Sequence, residues 1–358
     1  IFTKAAFEFA YRVPKLKLSK LNNNYAPELM NRFFGIPIVQ KGLSKMLIDF
    51  STAAFQILLG LILLSFYHPF FIAITLALVV LFFLVFRLTG KRGLDTSLKE
   101  SKYKYAVVHW LEEIARADKT FKLAGETSLH LKKTDEYVAE YLDARENHFS
   151  LLRLQYLWMI AFKIIVAGLL LLIGGMLVIN QQMNIGQFVA AELVILLILA
   201  SVEKLIMSLE TIYDVLASLE KVGQVTDFEL ENDKGSEQII SSDGIVLELN
   251  ELTFSHENSS KETLKKVSLK INSAEKIMIA GSNGSGKTTL LHLLAGFYEP
   301  ESGSVCYNGL PAGNYSLEKL RSYIGACFSG ASLFHGTLRE NISLGKDKTT
   351  TEDILRAI

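Results

Sequence analysis

Cysteine is scarce in this chain: Cys306 and Cys327 are the only two among 358 residues, and neither has a partner at metal-ligand spacing. That excludes a disulfide framework and a cysteine-built metal centre, and leaves the reduced thiols of a cytosolic compartment. Net charge is missing as well. Because 37 Lys and Arg balance 37 Asp and Glu, no global field draws the protein to nucleic acid or another anionic partner. A third absence is local: from Phe50 to Phe86 there is no Asp, Glu, Lys or Arg. A soluble core has no place for such a run, whereas one bilayer span needs only about 20 apolar residues, so the run must fold back on itself. There is no internal repeat, low-complexity tract or signal-peptide pattern. The chain starts at Ile1 rather than Met and stops at Ile358 inside what reads as a helix, and is expected to be part of a longer protein.

What is present explains where the apolar excess lies, since 50% of residues are hydrophobic and only 21% charged. Tyr67-His68-Pro69 marks the fold-back, because proline lacks a backbone donor and biases its predecessor away from helix. Spans are expected at about 50–67 and 69–87. A second apolar hairpin predicts spans at about 157–180 and 185–207, turning at Asn180-Gln181-Gln182-Met183-Asn184. Neither turn contains Lys or Arg, while Arg87, Lys91, Arg92, Lys99, Lys102 and Lys104 follow the first hairpin, so the positive-inside bias puts the termini and the long middle segment in the cytosol. In that segment Leu111, Ile114, Phe121 and Leu123 recur among Glu112, Glu113, Arg116, Lys119 and Lys122, the pattern of long water-exposed helices. Residues 1–226 thus read as an all-α transmembrane domain in contact with lipid, multi-pass, followed by a polar, acidic linker at 227–243.

Residues 244–358 read as a partial α/β domain. Ile245 to Leu249, Leu252 to Ser255 and Val267 to Ile271 alternate or run apolar as strands do, and Glu301 to Ser304 and Asn308-Gly309 are turns flanking a strand at Val305 to Tyr307. Between them stands Gly281-Ser282-Asn283-Gly284-Ser285-Gly286-Lys287-Thr288, a Gly-x-x-x-x-Gly-Lys-Thr phosphate loop with Thr289 opening an apolar helix. The four fixed positions would match by chance in a chain this long with a likelihood of about 1%. Lys276 to Ala280, just before, is expected to be a buried strand. Glycines at 281, 284 and 286 let successive N–H groups face one anion, and the helix adds its positive end. Lys287 would reach the terminal phosphates and Thr288 would ligate the accompanying magnesium. The loop alone does not choose between ATP and GTP.

Three carboxylates of the last span, Glu192, Glu203 and Glu210, are spaced by 11 and 7 and share one helix face. Glu192 and Glu203 are candidates for a translocation pathway that favours cationic or zwitterionic cargo, the alternative being a packed or salt-bridged face. Lys163 is expected to snorkel towards water.

Four spans, long cytosolic helices, an acidic linker and a strand-loop-helix phosphate site together resemble an exporter-type ABC transporter half, a transmembrane domain fused to a nucleotide-binding domain. Ile324-Gly325 with Leu333-Phe334-His335-Gly336-Thr337-Leu338-Arg339-Glu340-Asn341-Ile342, and Leu317-Glu318-Lys319-Leu320-Arg321 before it, carry the resemblance beyond the phosphate loop. It covers the whole chain, whose spans would be the family's third to sixth. The resemblance implies ATP and Mg2+, coupling helices within Pro27 to Phe33 and Leu111 to Leu123, a cytoplasmic nucleotide-binding domain, a bacterial-type inner or plasma membrane, and a second half-transporter as partner, in a homodimer or a paired half. It places His256 where the family has an adenine-stacking tyrosine, and Ser329 where it has the glutamine that senses magnesium and the attacking water. Both depart from the pattern. The signature motif, the second acidic strand with its catalytic glutamate and the switch histidine would follow Ile358, so no catalytic residue is assigned within the chain. An ATP-driven exporter subunit is the expected function. The alternatives are a membrane-anchored ATP-binding regulator with a slow site, motivated by His256 and Ser329, and a soluble P-loop kinase, which both apolar hairpins oppose.

Overall fold

The computed structural model describes residues 1–21, 26–67, 69–231, 235, 244–256, 259, 261–328, 333–346 and 349–357. They form two compact units, 1–16 with 20–230 and 17–19 with 231–358. The helices of the N-terminal part are α1 (Phe2–Arg12), α2 (Leu18–Leu21), α3 (Ala26–Asn31), α4 (Gly35–Ser65), α5 (Pro69–Arg116), α6 (Asp118–Leu123), α7 (Leu129–Ile179) and α8 (Ile185–Thr226).

The first unit is organised around α8. Ala191, Ile195, Ile198, Val202, Ile206 and Leu209 recur at three- and four-residue spacing and are all buried, so one continuous stripe of the helix faces its neighbours. Small residues let α4 approach that stripe: a Cβ on Gly42 would come within 2.2 Å of Val215, and one on Gly60 within 2.6 Å of Ile198. Opposite faces of the bundle stay apolar and exposed, as at Leu58, Leu59, Leu171 and Leu172. In water such patches are not tolerated; in lipid they are the required surface. Among the described residues, three helical stretches are long and apolar enough to cross a membrane, Glu28–Ser65, Leu129–Ile179 and Ile185–Thr226. The uncharged stretch from Phe70 to Phe86 forms the first part of α5.

Both hairpin turns stop their helices where the sequence loses helix-compatible hydrogen bonding. After α4, Phe66 and Tyr67 form a turn and α5 opens at Pro69; His68, at the expected fold-back, lies outside the described residues. After α7, Gln181 takes a left-handed φ of 55°. Asn184 and Gln187 then close a capping box at the start of α8, each side chain accepting from the other residue's backbone N–H at 2.7 and 3.0 Å. Outside the apolar stretches α5 and α7 run on as long, largely exposed helices, and α6 bridges them. Trp110 of α5 ties this end together: its Nε1 donates to Thr134 Oγ1 of α7 at 3.1 Å, and its ring meets Phe121 of α6 edge-on at 6.4 Å.

The second unit contains a four-stranded antiparallel sheet of β1 (Leu247–Phe254), β2 (Leu264–Ile271), β3 (Ser302–Tyr307) and β4 (Leu310–Pro311) in the order β2-β1-β3-β4. In register, Leu249 lies opposite Leu269 on one side and Val305 on the other. The β3–β4 turn is Asn308-Gly309, with φ values of 49° and 81°, the doubly positive backbone that this dipeptide adopts most readily. The unit also holds α9 (Lys287–Leu294), α10 (Leu317–Ser322), α11 (Leu338–Ser343) and α12 (Thr351–Ala357). Leu252, Leu290, Leu293, Tyr307 and Leu320 form its core. Tyr307 donates to Leu294 O at 2.5 Å, and burial pushes its phenol up to about 12.

Two expectations about this region change. Lys276 to Ala280 is not a buried strand: it pairs with no strand among the described residues, and Met278 is 90% exposed. A strand exists only beside a neighbour that takes up its N–H and C=O groups, and the sheet formed by β1 to β4 does not extend to this segment. The described part of the expected linker is not loose either. Phe228 and Leu230 pack with Phe9, Leu16, Leu29 and Val225, and Leu230 bridges to Leu16. Glu231 receives both Nη groups of Arg321, at 2.5 and 2.7 Å. Most of 232–243 lies outside the described residues.

Candidate nucleotide site and charged pairs of the helical bundle

The phosphate loop is built by its glycines. Gly284 and Gly286 have φ values of 79° and 89°, conformations that a side chain disfavours. A Cβ on Gly281 would come within 2.7 Å of Ser285 Oγ, inside the concavity of the loop itself. Gly286 is the N-cap of α9 and provides no side-chain acceptor, so the first-turn N–H groups are left for a ligand. Gly281, Ser282, Asn283, Gly284, Ser285 and Thr288 are all exposed. Lys287 Nζ donates to the carbonyls of Gly281 and Ser282, at 2.9 and 2.7 Å, closing over the loop from the side. An ammonium held on neutral carbonyls alone has a stronger acceptor to gain when an anion enters. The loop residues therefore fit a polyphosphate, with Thr288 exposed at its rim.

Thr289 is different from its neighbour. It is buried, and its Oγ1 lies 3.3 Å from His256 Nε2. His256 is turned onto α9, edge-on to Phe254 at 5.1 Å and to Tyr298 at 5.7 Å, in an aromatic group that His292, Phe297 and Phe328 continue. Burial, and secondarily the charge on His256, hold the His292 imidazole below its ordinary value. The structure thus brings His256 to the phosphate-loop helix, a placement that neither the strand pattern nor the resemblance specified. Ser329 lies outside the described residues. A cavity of about 440 Å³ lined by Ile245, Leu291, Tyr307 and Phe328 holds none of the phosphate-loop residues.

The carboxylates of the last span separate. Glu203 is paired with Lys163 of α7 at 2.5 Å, so Lys163 does not snorkel freely; a partner one helix away satisfies it at lower cost than an extended stem. Glu192 is half-buried, Glu210 exposed, and neither is brought to Glu203. A second pair escaped the sequence reading. Asp49 of α4, buried, accepts from Lys204 of α8 at 2.8 Å, and Ser208 Oγ lies 3.3 Å from its other oxygen. Adjacent residues Glu203 and Lys204 thus join α8 to α7 and to α4. The available signal was Asp49 standing just before the uncharged run, with Lys204 as the only base within the second hairpin's final helix turns near Glu203; which pairs with which depends on helix rotation.

A helical bundle with stretches apolar enough to cross a membrane and a phosphate-loop unit with its own sheet define an integral membrane protein with a nucleotide-type phosphate loop. The family model for the ABC transporter transmembrane region matches residues 12–202, more than half of the chain, and a second model, ABC transporter, matches 264–358. The chain belongs to the ABC transporter family. It is 32% identical over 187 residues to the putative multidrug export ATP-binding/permease protein YgaD of Bacillus subtilis (strain 168), covering 51% of this chain and 32% of that protein. It is 27% identical over 288 residues to the ATP-dependent lipid A-core flippase of Dechloromonas aromatica (strain RCB), covering 79% of this chain and 48% of that one. With the beta-(1-->2)glucan export ATP-binding/permease protein NdvA of Agrobacterium fabrum it shares 28% over 190 residues, 53% of this chain and 32% of that protein. The chain spans half or less of the length of these relatives. Its fold matches the solved structure of a bacterial Atm1-family ABC exporter with ATP bound, at a TM-score of 0.84 and 19% identity, over 98% of this chain and 61% of that one.

Proposed function

We propose that the chain is a subunit of an ATP-driven ABC exporter that binds ATP and Mg2+ at the phosphate loop and couples their turnover to movement of a substrate across a membrane. One observation carries this reading: the loop of Gly281 to Thr288, with its two left-handed glycines and its lysine, lies in the same polypeptide as helices with apolar outward faces. Backbone N–H groups of the loop and of the first turn of α9 would hold the phosphates, Lys287 would move from the carbonyls of Gly281 and Ser282 to the terminal phosphates, and Thr288 would hold the magnesium, which supplies charge neutralisation. For His256 to stack on adenine it would have to leave Thr289. Four spans, at about 50–67, 69–87, 157–180 and 185–207, would place the nucleotide-binding domain in the cytoplasm; α3 overlaps the first proposed coupling segment and α6 lies within the second. A second half-transporter would complete the nucleotide site. Glu192, without a paired base among the described residues, remains the pathway candidate of the last span; Glu203, paired with Lys163, is a weaker one.

The test is nucleotide binding and Mg-dependent ATPase of the full-length protein in proteoliposomes. Replacing Lys287 with Ala removes charge-assisted hydrogen bonds worth about 1.5–3 kcal/mol, so binding of a fluorescent ATP analogue is expected to weaken by roughly 10- to 150-fold, with loss of ATPase. Unchanged binding would refute the site. Intact binding without hydrolysis in the assembled wild type would favour the regulatory alternative.

A further inference from the structure

His148 of α7 is 3% exposed, at the junction where α5, α7 and α8 meet. Its hydrogen bonds determine which nitrogen carries the proton. Nδ1 lies 2.9 Å from Thr96 Oγ1 of α5. That hydroxyl has a single proton, and the carbonyls of Arg92 and Gly93 lie within its donating reach, at 2.9 and 3.0 Å. With that proton given to a carbonyl, Thr96 accepts from the imidazole, and Nδ1 holds the hydrogen and donates. Nε2 is then a bare lone pair, and it is buried with no hydrogen-bond partner among the described residues. A buried polar atom left in this state needs a ligand or a function.

The surroundings select the ligand. Glu100 of α5, Glu210 and Asp214 of α8 and Arg145 of α7 are the charged groups that bear on the ring, and Arg145 is already paired with Glu100 at 2.7 Å. On α8 Glu210 and Asp214 remain, and Lys104 of α5 also bears on Asp214. The Tyr213 ring stands edge-on to His148 at 6.1 Å, and its hydroxyl accepts from Gln155 Nε2 at 3.2 Å. Gln155 also donates to Thr89 Oγ1 at 2.6 Å, so α5, α7 and α8 are joined through one polar chain. Tyr213 in turn rests directly on Gly93, where a Cβ would meet its ring at 2.3 Å. An imidazolium here would carry a second N–H with nothing to receive it unless α8 moves a carboxylate inward or α5 parts from Tyr213 to admit water.

We propose that His148 Nε2 is a proton-binding site that sets the packing of the α5, α7 and α8 junction, so that one proton switches the helices between two arrangements. At neutral pH burial keeps the ring uncharged and the junction closed. Acidification adds the proton at Nε2 and opens it.

The experiment uses ring-15N-labelled histidine in the full chain in lipid nanodiscs, where 15N shifts separate a bare from a protonated ring nitrogen. His148→Gln assigns the signal among the seven histidines by its loss. Spin labels at exposed Asp95 of α5 and Leu216 of α8, with Cys306 and Cys327 replaced by Ser, report the helix separation. At about pH 8 the expected state is Nδ1–H with Nε2 bare; towards about pH 5, across the range in which imidazoles change charge, both nitrogens become protonated and the distance distribution shifts. The shift is absent in His148→Gln. Should that variant fail to fold, Thr96→Val keeps the ring, removes the acceptor of Nδ1 and is expected to move the neutral form towards Nε2–H. An Nε2–H tautomer in the wild type, a ring that stays neutral to pH 5, protonation without a distance change, or an unaltered tautomer in Thr96→Val would each overturn the proposal. No nucleotide is added, so the outcome is independent of the transport reading.

Discussion

Two glycines of α5, three residues apart, test whether the helix packing is as close as described. Gly93 faces Tyr213, which is 2% exposed, and an added Cβ would lie 2.3 Å from Cζ and 2.6 Å from the hydroxyl. Gly90 faces open space, its nearest neighbour being Phe86 of its own helix at 3.8 Å. Alanine at either position gains the same helix propensity, about 1 kcal/mol. At Gly93 that gain is opposed by overpacking against a buried ring whose hydroxyl is held by Gln155, a cost of about 1–3 kcal/mol. Gly90→Ala is therefore expected to be more stable than wild type and Gly93→Ala less stable than Gly90→Ala by about 1–3 kcal/mol. At roughly 2–4 °C per kcal/mol for a unit of this size, thermal unfolding in detergent, followed by loss of the monodisperse species on gel filtration, should separate the two midpoints by several degrees. Shared helix, shared substitution and neighbouring depth cancel the contributions of insertion and propensity. Equal midpoints, or a more stable Gly93→Ala, would refute the packing of α5 on Tyr213.

Two further tests address the charges. Lys204→Met leaves Asp49 with Ser208 and the more distant charge of Lys45 and is expected to cost about 2–3 kcal/mol, below the about 3–5 kcal/mol of a fully orphaned buried charge, whereas Asp49→Asn leaves a lysine that reaches solvent and should cost about 1 kcal/mol; thermal midpoints in the reverse order would reject the pair. In the second unit, the folded state keeps His292 neutral through burial and the nearby His256, while the unfolded chain takes up a proton at the ordinary imidazole value of about 6.5. Its contribution is thus present above that value and lost as pH falls from there through the lower folded value, so the unfolding midpoint of that unit should drop on acidification, and a His292→Leu variant whose profile keeps the same slope would exclude the residue as a source.

Each level of the chain was legible to a different degree. The phosphate loop needs only local backbone freedom, an anion-facing amide run and one lysine, all of which are short-range properties, so Gly281 to Thr288 could be read directly and the structure adds only that Lys287 rests on two carbonyls. Helix positions and turns were equally accessible, because the missing charge from Phe50 to Phe86 and the capping residues Asn184 and Gln187 act within a few residues of where they stand. The buried strand expected at Lys276 to Ala280 was not, since apolar periodicity says that a segment can enter a sheet and not whether a neighbour is there to receive it. Rotation of each helix decided the rest. Glu192, Glu203 and Glu210 share a face by arithmetic, yet only Glu203 meets a base, because Lys163 reaches it from another helix. Asp49 and Lys204 are 155 positions apart, and nothing local to either foretells the other. His148 Nε2 is left without a partner only because the ring's other nitrogen is the one that meets Thr96, on a different helix. By itself the sequence determined the composition of the molecule in segments: an apolar helical bundle, a glycine loop with the pattern of a phosphate site, and the short-range signals that begin and end their helices. Which polar groups meet across that bundle, and which are left waiting for a partner, was settled by long-range packing, because the energy of a buried charge or lone pair depends on atoms contributed by other helices.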